Sequence, residues 1–199
     1  MMRIVSLCTL FLLSQSLWAG NGDYAVSKIP PALLKNAHAV KRMETLRFEV
    51  INTGEAVLRK KYAITVLDEN GDRFAAFVEY YDKLHELKNI EGVLYDAEGR
   101  ELKRLKNKQI LDLSGSDDNA LADDNRRKAH HFYYKVYPYT VEYELDMRYN
   151  GTLFFPVWLP REDEYFAVEQ SSFSVTAPAS YKVRHKAINF QQAPVESEG

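Results

Sequence analysis

Histidines are the first side chains that could do chemistry in this sequence. It contains one adjacent pair, His130-His131, and three isolated histidines, His38, His85 and His185. Adjacent residues of a strand point to opposite faces of the sheet, so the pair is not expected to bind one metal ion. The ligand spacing of a structural zinc site does not accompany it. We therefore predict surface or edge histidines, with no metal site and no cofactor.

Nucleophilic catalysis has no recognisable centre in the sequence. The one cysteine, Cys8, lies in an apolar N-terminal run that has the form of a signal peptide, so no thiol is expected in the mature chain. The sequence has no Gly-x-Ser-x-Gly nucleophile elbow. Paired acids such as Glu162-Asp163-Glu164 leave open a hydrolase, which would need two carboxylates in one concave site. We predict that this chain alone is not an enzyme, with that hydrolase as an alternative.

An acidic segment is followed directly by basic residues. It contains Asp117-Asp118 and Asp123-Asp124-Asn125, and Arg126-Arg127-Lys128 comes next. The acids could offer oxygen ligands to calcium, but they lack the spacing and the final glutamate of the helix–loop–helix calcium motif. We predict a solvated structural loop in which Asp123 and Asp124 are neutralised locally by Arg126.

Aromatic residues form the most distinctive patch of the sequence. Phe155 and Trp158 belong to an apolar, proline-containing stretch, and Tyr137 and Tyr139 flank Pro138. Large aromatic side chains dominate protein cores, so the simplest interpretation is packing between sheets. The functional alternative is that these four residues form a binding surface for a partner, a glycan or a peptide.

Period-2 alternation of apolar and polar residues predicts the elements that position these side chains. In the segment from Ala56 to Leu67, apolar residues occupy alternate positions, and the segment from Thr140 to Tyr149 repeats the pattern. Tyr143 and Leu145 should therefore be buried, with one face packed and the other wet. Short strands separated by turn residues predict an all-β fold, an antiparallel two-layer β-sandwich with a short N-terminal helix at most.

Several finer predictions follow from local sequence. In the first strand, about 39–51, Lys41 should face away from Leu46 and Phe48. Asn70-Gly71 should make a tight hairpin turn, because this pair tolerates positive φ. Further strands are expected over 131–137 and 181–188.

The two ends of the chain predict export and a linker. Residues 1–19 show the charged start, apolar run and small-residue exit of a signal peptide, and the run is too short to span a membrane. We expect the β-sandwich domain over 24–190 and a polar linker stub over 191–199, directed to a further C-terminal domain. A net charge of −2 gives no electrostatic footprint for nucleic acid. The predicted location is the periplasm, the cell surface or the medium.

A family resemblance is carried by short motifs in a shared order. The motifs are Ile29-Pro30, Asn36-Ala37, Ala39-Val40, Ile64-Thr65-Val66-Leu67, Asn70-Gly71, Tyr81-Asp82-Lys83, Ile90-Glu91-Gly92, Tyr95-Asp96-Ala97-Glu98-Gly99, Leu121-Ala122-Asp123-Asp124-Asn125-Arg126 and Pro138-Tyr139-Thr140-Val141-Glu142-Tyr143-Glu144. The chain thereby resembles the domain-of-unknown-function 3857 family. In bacterial proteins this exported domain precedes a transglutaminase-like (papain-fold) domain. The resemblance implies a β-sandwich-like module, and no Cys–His–Asp set can be carried over to this chain.

Three hypotheses for function follow from these observations. The first is a non-catalytic exported module that is accessory to a papain-fold domain, in the same longer chain or encoded nearby, for binding, substrate presentation or scaffolding. The second is a stand-alone carbohydrate-binding module of the cell envelope. The third is the hydrolase with paired carboxylates.

Overall fold

A computed structural model of the chain describes residues 23–114, 125–184, 186 and 194–197. Within these residues the fold is built from strands arranged in two sheets, which confirms the all-β prediction. None of the described helices has the length or apolar character needed to cross a membrane. The predicted signal peptide and most of the predicted linker stub lie outside the described residues.

The described part contains ten strands and short helical turns. The strands are β1 (Ala39–Asn52), β2 (Glu55–Val66), β3 (Phe77–Tyr81), β4 (His85–Tyr95), β5 (Glu101–Arg104), β6 (Leu111–Ser114), β7 (Arg126–His130), β8 (Tyr139–Tyr149), β9 (Phe166–Val168) and β10 (Ser172–Thr176). The helical elements are one α-helix, α1 (Pro31–Leu34), and 3₁₀ turns at Val26–Lys28, Glu69–Ala75 and Asn107–Gln109. The short N-terminal helix agrees with the sequence, since proline is tolerated in a first helical turn.

The main sheet has the strand order β10-β1-β2-β8-β4-β5, and β9 also pairs with β1. The pairs β1–β2, β2–β8, β8–β4 and β4–β5 are antiparallel, as predicted. The sheet is thus mostly antiparallel, but β9 and β10 both pair with β1 in the parallel direction. After β8, an irregular segment returns the chain to the start of β1, so β9 and β10 run in the same direction as β1.

Alternation in β2 and β8 places one apolar face of the main sheet in the core. Tyr62 lies opposite Tyr143, and Ile64 opposite Val141. Tyr143 and Leu145 are both fully buried, as predicted, but the other face is not wet along its whole length, because Thr140 and Glu142 are buried too and Tyr24 donates a hydrogen bond to Glu142. Gly92 of β4 lies beneath the ring of Tyr143, and a Cβ on Gly92 would meet that ring at 2.8 Å. A side chain at position 92 would therefore displace the central tyrosine.

A bulge in β1 reverses one of the predicted faces. The pairing of β1 with β2 is irregular between Lys41 and Met43, so Lys41 lies opposite Ile64 on the core face. The Lys41 side chain is only 2% exposed. The prediction that Lys41 faces away from the core was wrong, because one extra residue in a strand inverts every later side-chain direction.

The second sheet has the order β3-β7-β6 and is antiparallel. Asn70-Gly71 does not make the predicted hairpin; it lies in the 3₁₀ turn Glu69–Ala75, which carries the chain from β2 into β3 of the other sheet. The predicted strand over 131–137 is also absent from the described residues, because β7 ends at His130 and irregular backbone leads to β8. Residues 181–184 form no strand, and the rest of that predicted strand lies mostly outside the described residues.

Two different structures cover the apolar face of the main sheet. The second sheet covers the side of β8, where Phe77 and Phe132 contact the ring of Tyr143. Over β1 and β2 the cover is an irregular segment, residues 153–162, which we call the strap. The fold is therefore two-layered, with a second layer that is half sheet and half strap.

Candidate functional site

The strap is an apolar segment with most of its large side chains in solvent. Leu153 and Val157 are 83% and 87% exposed, and Phe154 and Leu159 are 62% and 60% exposed. Pro156 and Pro160 have no N–H groups to donate to a ladder, which disfavours a strand here. The result is an irregular chain that displays apolar side chains outward.

A network of polar side chains fastens the strap to β1. The indole Nε1 of Trp158 donates to Ser171 Oγ over 2.8 Å, and Ser171 Oγ donates to Glu44 Oε2 over 2.6 Å. Lys41 Nζ donates to Glu44 Oε1 over 3.0 Å and to Glu162 Oε1 over 3.3 Å. We call these five residues the latch. Lys41 and Glu44 are almost fully buried in it, so their charges interact in a medium that screens them weakly.

A groove runs between the strap and the main sheet. It consists of two adjoining clefts of about 230 and 290 Å³, which share Leu46, Lys60 and Val157 as lining residues. Lys60 pairs with Glu79 of β3 over 2.5 Å, so this ion pair joins the two layers across the groove floor. The groove can accommodate a small apolar group beside paired charges.

The carboxylates in and beside the latch are held by hydrogen bonds and ion pairs. Glu44 is hydrogen-bonded by a serine and a lysine, which hold both of its carboxylate oxygens. Glu162 and Asp163 are each paired with a basic residue, Lys41 and Arg73. The two carboxylates bound to Lys41 differ in environment, because Glu44 is buried and Glu162 is exposed.

Two of the four predicted surface aromatics, Phe155 and Trp158, belong to the strap. Phe155 is 37% exposed and packs on Phe48 with ring centroids 4.9 Å apart. Trp158 is half-buried against Phe173 of β10. Both side chains therefore face the sheet more than their aliphatic neighbours in the strap do.

The other two predicted aromatics lie at the opposite end of the sheet. Phe48 lies opposite Leu58, whereas Tyr139 lies opposite Val66, eight residues further along β2. At roughly 3.3 Å per residue, the two ends are about 26 Å apart. The four aromatics therefore do not form one surface.

Tyr137 and Tyr139 instead hold the 3₁₀ turn that links the two sheets. Tyr137 donates to Asp72 Oδ2 and Tyr139 to Asp72 Oδ1, both over 2.8 Å, and Lys135 also donates to Oδ2. Burial alone would raise the pKa of Asp72, but these hydrogen bonds outweigh it and lower the pKa. Tyr139 is fully buried, and burial followed by the bond to Asp72 raises the pKa of its hydroxyl.

Arg126 of β7 pairs with Asp112 of the neighbouring strand β6. Its guanidinium lies 2.9 Å from Asp112 Oδ1, and Tyr81 Oη donates to the same oxygen over 2.7 Å. Those hydrogen bonds, led by the one from Tyr81, lower the pKa of Asp112. Asp123 and Asp124 lie outside the described residues.

The histidines are dispersed. His130 is buried, and its Nδ1 lies 2.8 Å from the hydroxyl of Tyr143. Burial, with a smaller contribution from Lys103, lowers the pKa of His130 to about 4. His38 and His85 each pair with an aspartate, Asp68 and Asp82. Among the described residues, no group of three or more His, Cys, Asp or Glu side chains is arranged to bind a metal ion; His185 lies outside them.

Sequence reasoning missed the buried charges of β1. Lys41, Arg42 and Glu44 are all buried, and Arg42 pairs with Glu169 over 2.8 Å on the outer face of the sheet. Three charges within four residues of β1 are the one sequence signal that could have indicated them, since buried charges need partners.

Comparisons with known proteins give the family and the fold. The model of the family described as "Domain of Unknown Function with solved-structure structure (DUF3857)" matches residues 52–199. No curated protein matches the chain. The fold is similar to a crystal structure described as a "putative protease" from Parabacteroides distasonis ATCC 8503, with a TM-score of 0.59 and 12% identity. That match covers 71% of this chain and 29% of the other, so the chain spans less than a third of that protein's length. The likeness shows the fold alone, whereas the family match spans most of the sequence, and the chain therefore belongs to the DUF3857 family.

Proposed function

We propose that this domain is a non-catalytic exported module that docks, through the strap, on a transglutaminase-like (papain-fold) domain carried by the same longer chain or encoded nearby. The observation that carries the proposal is the outward display of apolar side chains by the strap, above all Leu153 and Val157. Single exposed apolar residues are ordinary on protein surfaces, but a contiguous run of them is typical of an interaction site.

The latch gives this surface a defined shape. Trp158 and Glu162 of the strap are both bound to the network centred on Glu44, on either side of the exposed Leu159. A surface that is ordered before binding loses less conformational entropy when a partner associates. The strap is therefore suited to scaffolding or to presenting a substrate to a neighbouring catalytic domain.

The comparisons support an accessory role beside a larger protein. In the Parabacteroides distasonis protein, the matched region is 29% of a chain described as a "putative protease". A fold that occupies a minor part of such a chain is consistent with a module that acts next to a catalytic domain. The proposed site of action is the periplasm or the cell surface.

The test is a binding measurement between two separately purified proteins. The first is the mature domain, and the second is the transglutaminase-like domain encoded in the same or the adjacent reading frame. We expect binding by isothermal titration calorimetry, and a loss of at least about tenfold in affinity in the double variant Val157→Asp/Leu159→Asp, since charges are poorly tolerated at the centre of an interface.

The matched control is Leu102→Asp, which charges an exposed leucine on β5, four strands away from β1. It should bind like the unaltered domain. Absence of binding by the unaltered domain, or equal affinities for all three proteins, would contradict the proposal, as would a locus without any transglutaminase-like coding region.

A carbohydrate-binding module is the second candidate, and one observation favours it. Tyr133 is 79% exposed at a positive φ of 52°, which places an accessible ring on the surface. Backbone in this strained region is often found at functional sites. Binding of the mature domain to cell-envelope glycans that is lost in Tyr133→Ala and retained in Val157→Asp/Leu159→Asp would favour this function over docking.

A further inference from the structure

The outward face of the second sheet is a two-row apolar surface. Val78, Ala129 and Leu111 lie side by side in one row, and Tyr80, Arg127 and Leu113 lie in the next. Val78, Tyr80, Leu111 and Leu113 are between 39% and 57% exposed. We call these six residues the outer grid.

Alternation explains why the outer grid is open. The residues between its members point to the main sheet: Phe77 and His130 are buried there, and Glu79 pairs with Lys60. A three-stranded sheet normally has one apolar face and one polar face, since its second face meets water. Here the face towards the main sheet carries Phe77 and His130 beside polar residues such as Arg126 and Asp112, whereas the outward face is the more apolar one and its large side chains stay exposed.

Arg127 is the charged residue of the outer grid and lies on its middle strand. Arg127 is exposed and forms no ion pair with any carboxylate among the described residues. Its neighbour Arg126, on the opposite face, is paired with Asp112. A partner that covers the grid would meet this positive charge, and a carboxylate on the partner would offset the cost of removing the guanidinium from water.

From this charge pattern we propose that the outer grid binds an amphipathic helix whose apolar stripe is flanked by acidic residues. A helix laid on a sheet is one of the few stable ways to cover an apolar sheet face. A second copy of the domain is disfavoured, because a two-fold contact across the grid would bring the two Arg127 side chains towards each other. The grid adjoins the strap at Tyr80, which lines the groove together with Val157, but its other members lie outside the groove and this proposal does not depend on docking by the strap.

The test uses two synthetic peptides of about 20 residues, long enough to be helical in water. Both carry the same leucine stripe, flanked by glutamates in one peptide and by lysines in the other. In ¹H–¹⁵N NMR titrations of the ¹⁵N-labelled mature domain, we expect the acidic peptide to shift the amide signals of the outer grid. It should bind at least about tenfold more tightly than the basic peptide.

Three variants and a mass measurement complete the test. Arg127→Glu should reverse the preference between the peptides, whereas the matched control Arg47→Glu, an exposed arginine of β1, should leave it unchanged. Shifts that map to the strap, equal affinities for both peptides, or no binding of either peptide would overturn the proposal. So would a dimer in light scattering that Arg127→Glu or Leu111→Asp converts to a monomer, because the grid would then be a contact between copies.

Discussion

The second sheet and the strap cover the same apolar face by different means. The second sheet is ordered by backbone ladders, five paired positions between β3 and β7 and four between β6 and β7. It is joined to the core by ring contacts on Tyr143. No residue of the strap forms a strand, and the strap is held mainly by the side chains of the latch.

This difference shows how one layer can combine a fixed part and an adaptable part. Backbone ladders do not depend on side-chain identity, so they tolerate substitution on the outward face. A cover that depends on five side chains can change its apolar surface freely, provided that those five remain. The predictions below test whether the two halves are held as the structure indicates.

The largest effect is expected where the second sheet meets the core. Tyr143→Ala removes a fully buried ring that contacts Phe77 and Phe132 and accepts or donates the hydrogen bond to His130. Loss of a large aromatic side chain from a core costs about 3–5 kcal/mol of unfolding free energy. Urea unfolding of the variant should show this loss; a change below about 0.5 kcal/mol, the range of surface substitutions, would mean that the second sheet is not anchored there.

The next effect is expected at the latch. Lys41→Met leaves the buried carboxylate of Glu44 without its cation, and breaking a buried pair from one side costs about 3 kcal/mol or more. The double variant Lys41→Met/Glu44→Leu removes both charges and should recover most of that loss. Additive losses in the double variant, measured by the same urea unfolding, would show that the two side chains do not act as a pair.

His130, which lies beneath the second sheet, should make the free energy of unfolding depend on pH. The pKa of His130 is about 4 in the folded domain, against 6.5 for the free side chain, so the unfolded chain binds the proton more readily. Above about pH 6.5 His130 is neutral in both the folded and the unfolded chain and the free energy of unfolding is unaffected by it. As the pH falls towards 4, the unfolded chain takes up the proton and the free energy of unfolding decreases. At pH 4 the loss should be roughly 2–3 kcal/mol.

The measurement is the difference in unfolding free energy between the unaltered domain and His130→Gln at pH 7 and at pH 4.5. Subtracting the variant removes the contribution of carboxylates, which titrate in the same range. A difference that is the same at both pH values would show that His130 is not held neutral beneath the second sheet.

The smallest effect is expected from the outer end of the latch. Trp158→Phe retains an aromatic ring but loses the hydrogen bond to Ser171, which should cost about 1 kcal/mol. Hydrogen exchange of strap amides should quicken, while exchange in β8 should be unchanged, because local opening does not require global unfolding. Equal acceleration in β8 would indicate that the strap and the second sheet unfold as one unit.

The parts of the fold that repeat with period 2 could be predicted from the sequence. In β2 and β8, a uniform alternation identifies the buried face, and Tyr143 and Leu145 lie where the pattern indicates. The pattern contains no information on strand direction, so the parallel pairing of β9 and β10 with β1 was missed. The pair Asn70-Gly71 is compatible with both a hairpin and a 3₁₀ turn. Which of the two forms depends on whether β3 joins the sheet of β2 or the second sheet, and the local sequence does not contain that information.

The candidate site was predictable only in part. The apolar composition of the strap marked it as unusual, and Phe155 and Trp158 do belong to it. The latch was not predicted, because it depends on the bulge that turns Lys41 inward and on Ser171, a residue type without a distinctive signature. A bulge changes the register by one residue and leaves no mark on composition.

The parallel pairing of β10 with β1 also has a kinetic consequence. Thr45 lies opposite Ser172, so this contact joins positions 127 residues apart in the chain. Closing so long a loop is entropically unfavourable until the intervening strands have formed, and contacts between distant positions slow folding. Synthesis must pass Thr176 before β1 can acquire both of its neighbours, and a product that stops short of that residue would present an open strand edge for aggregation.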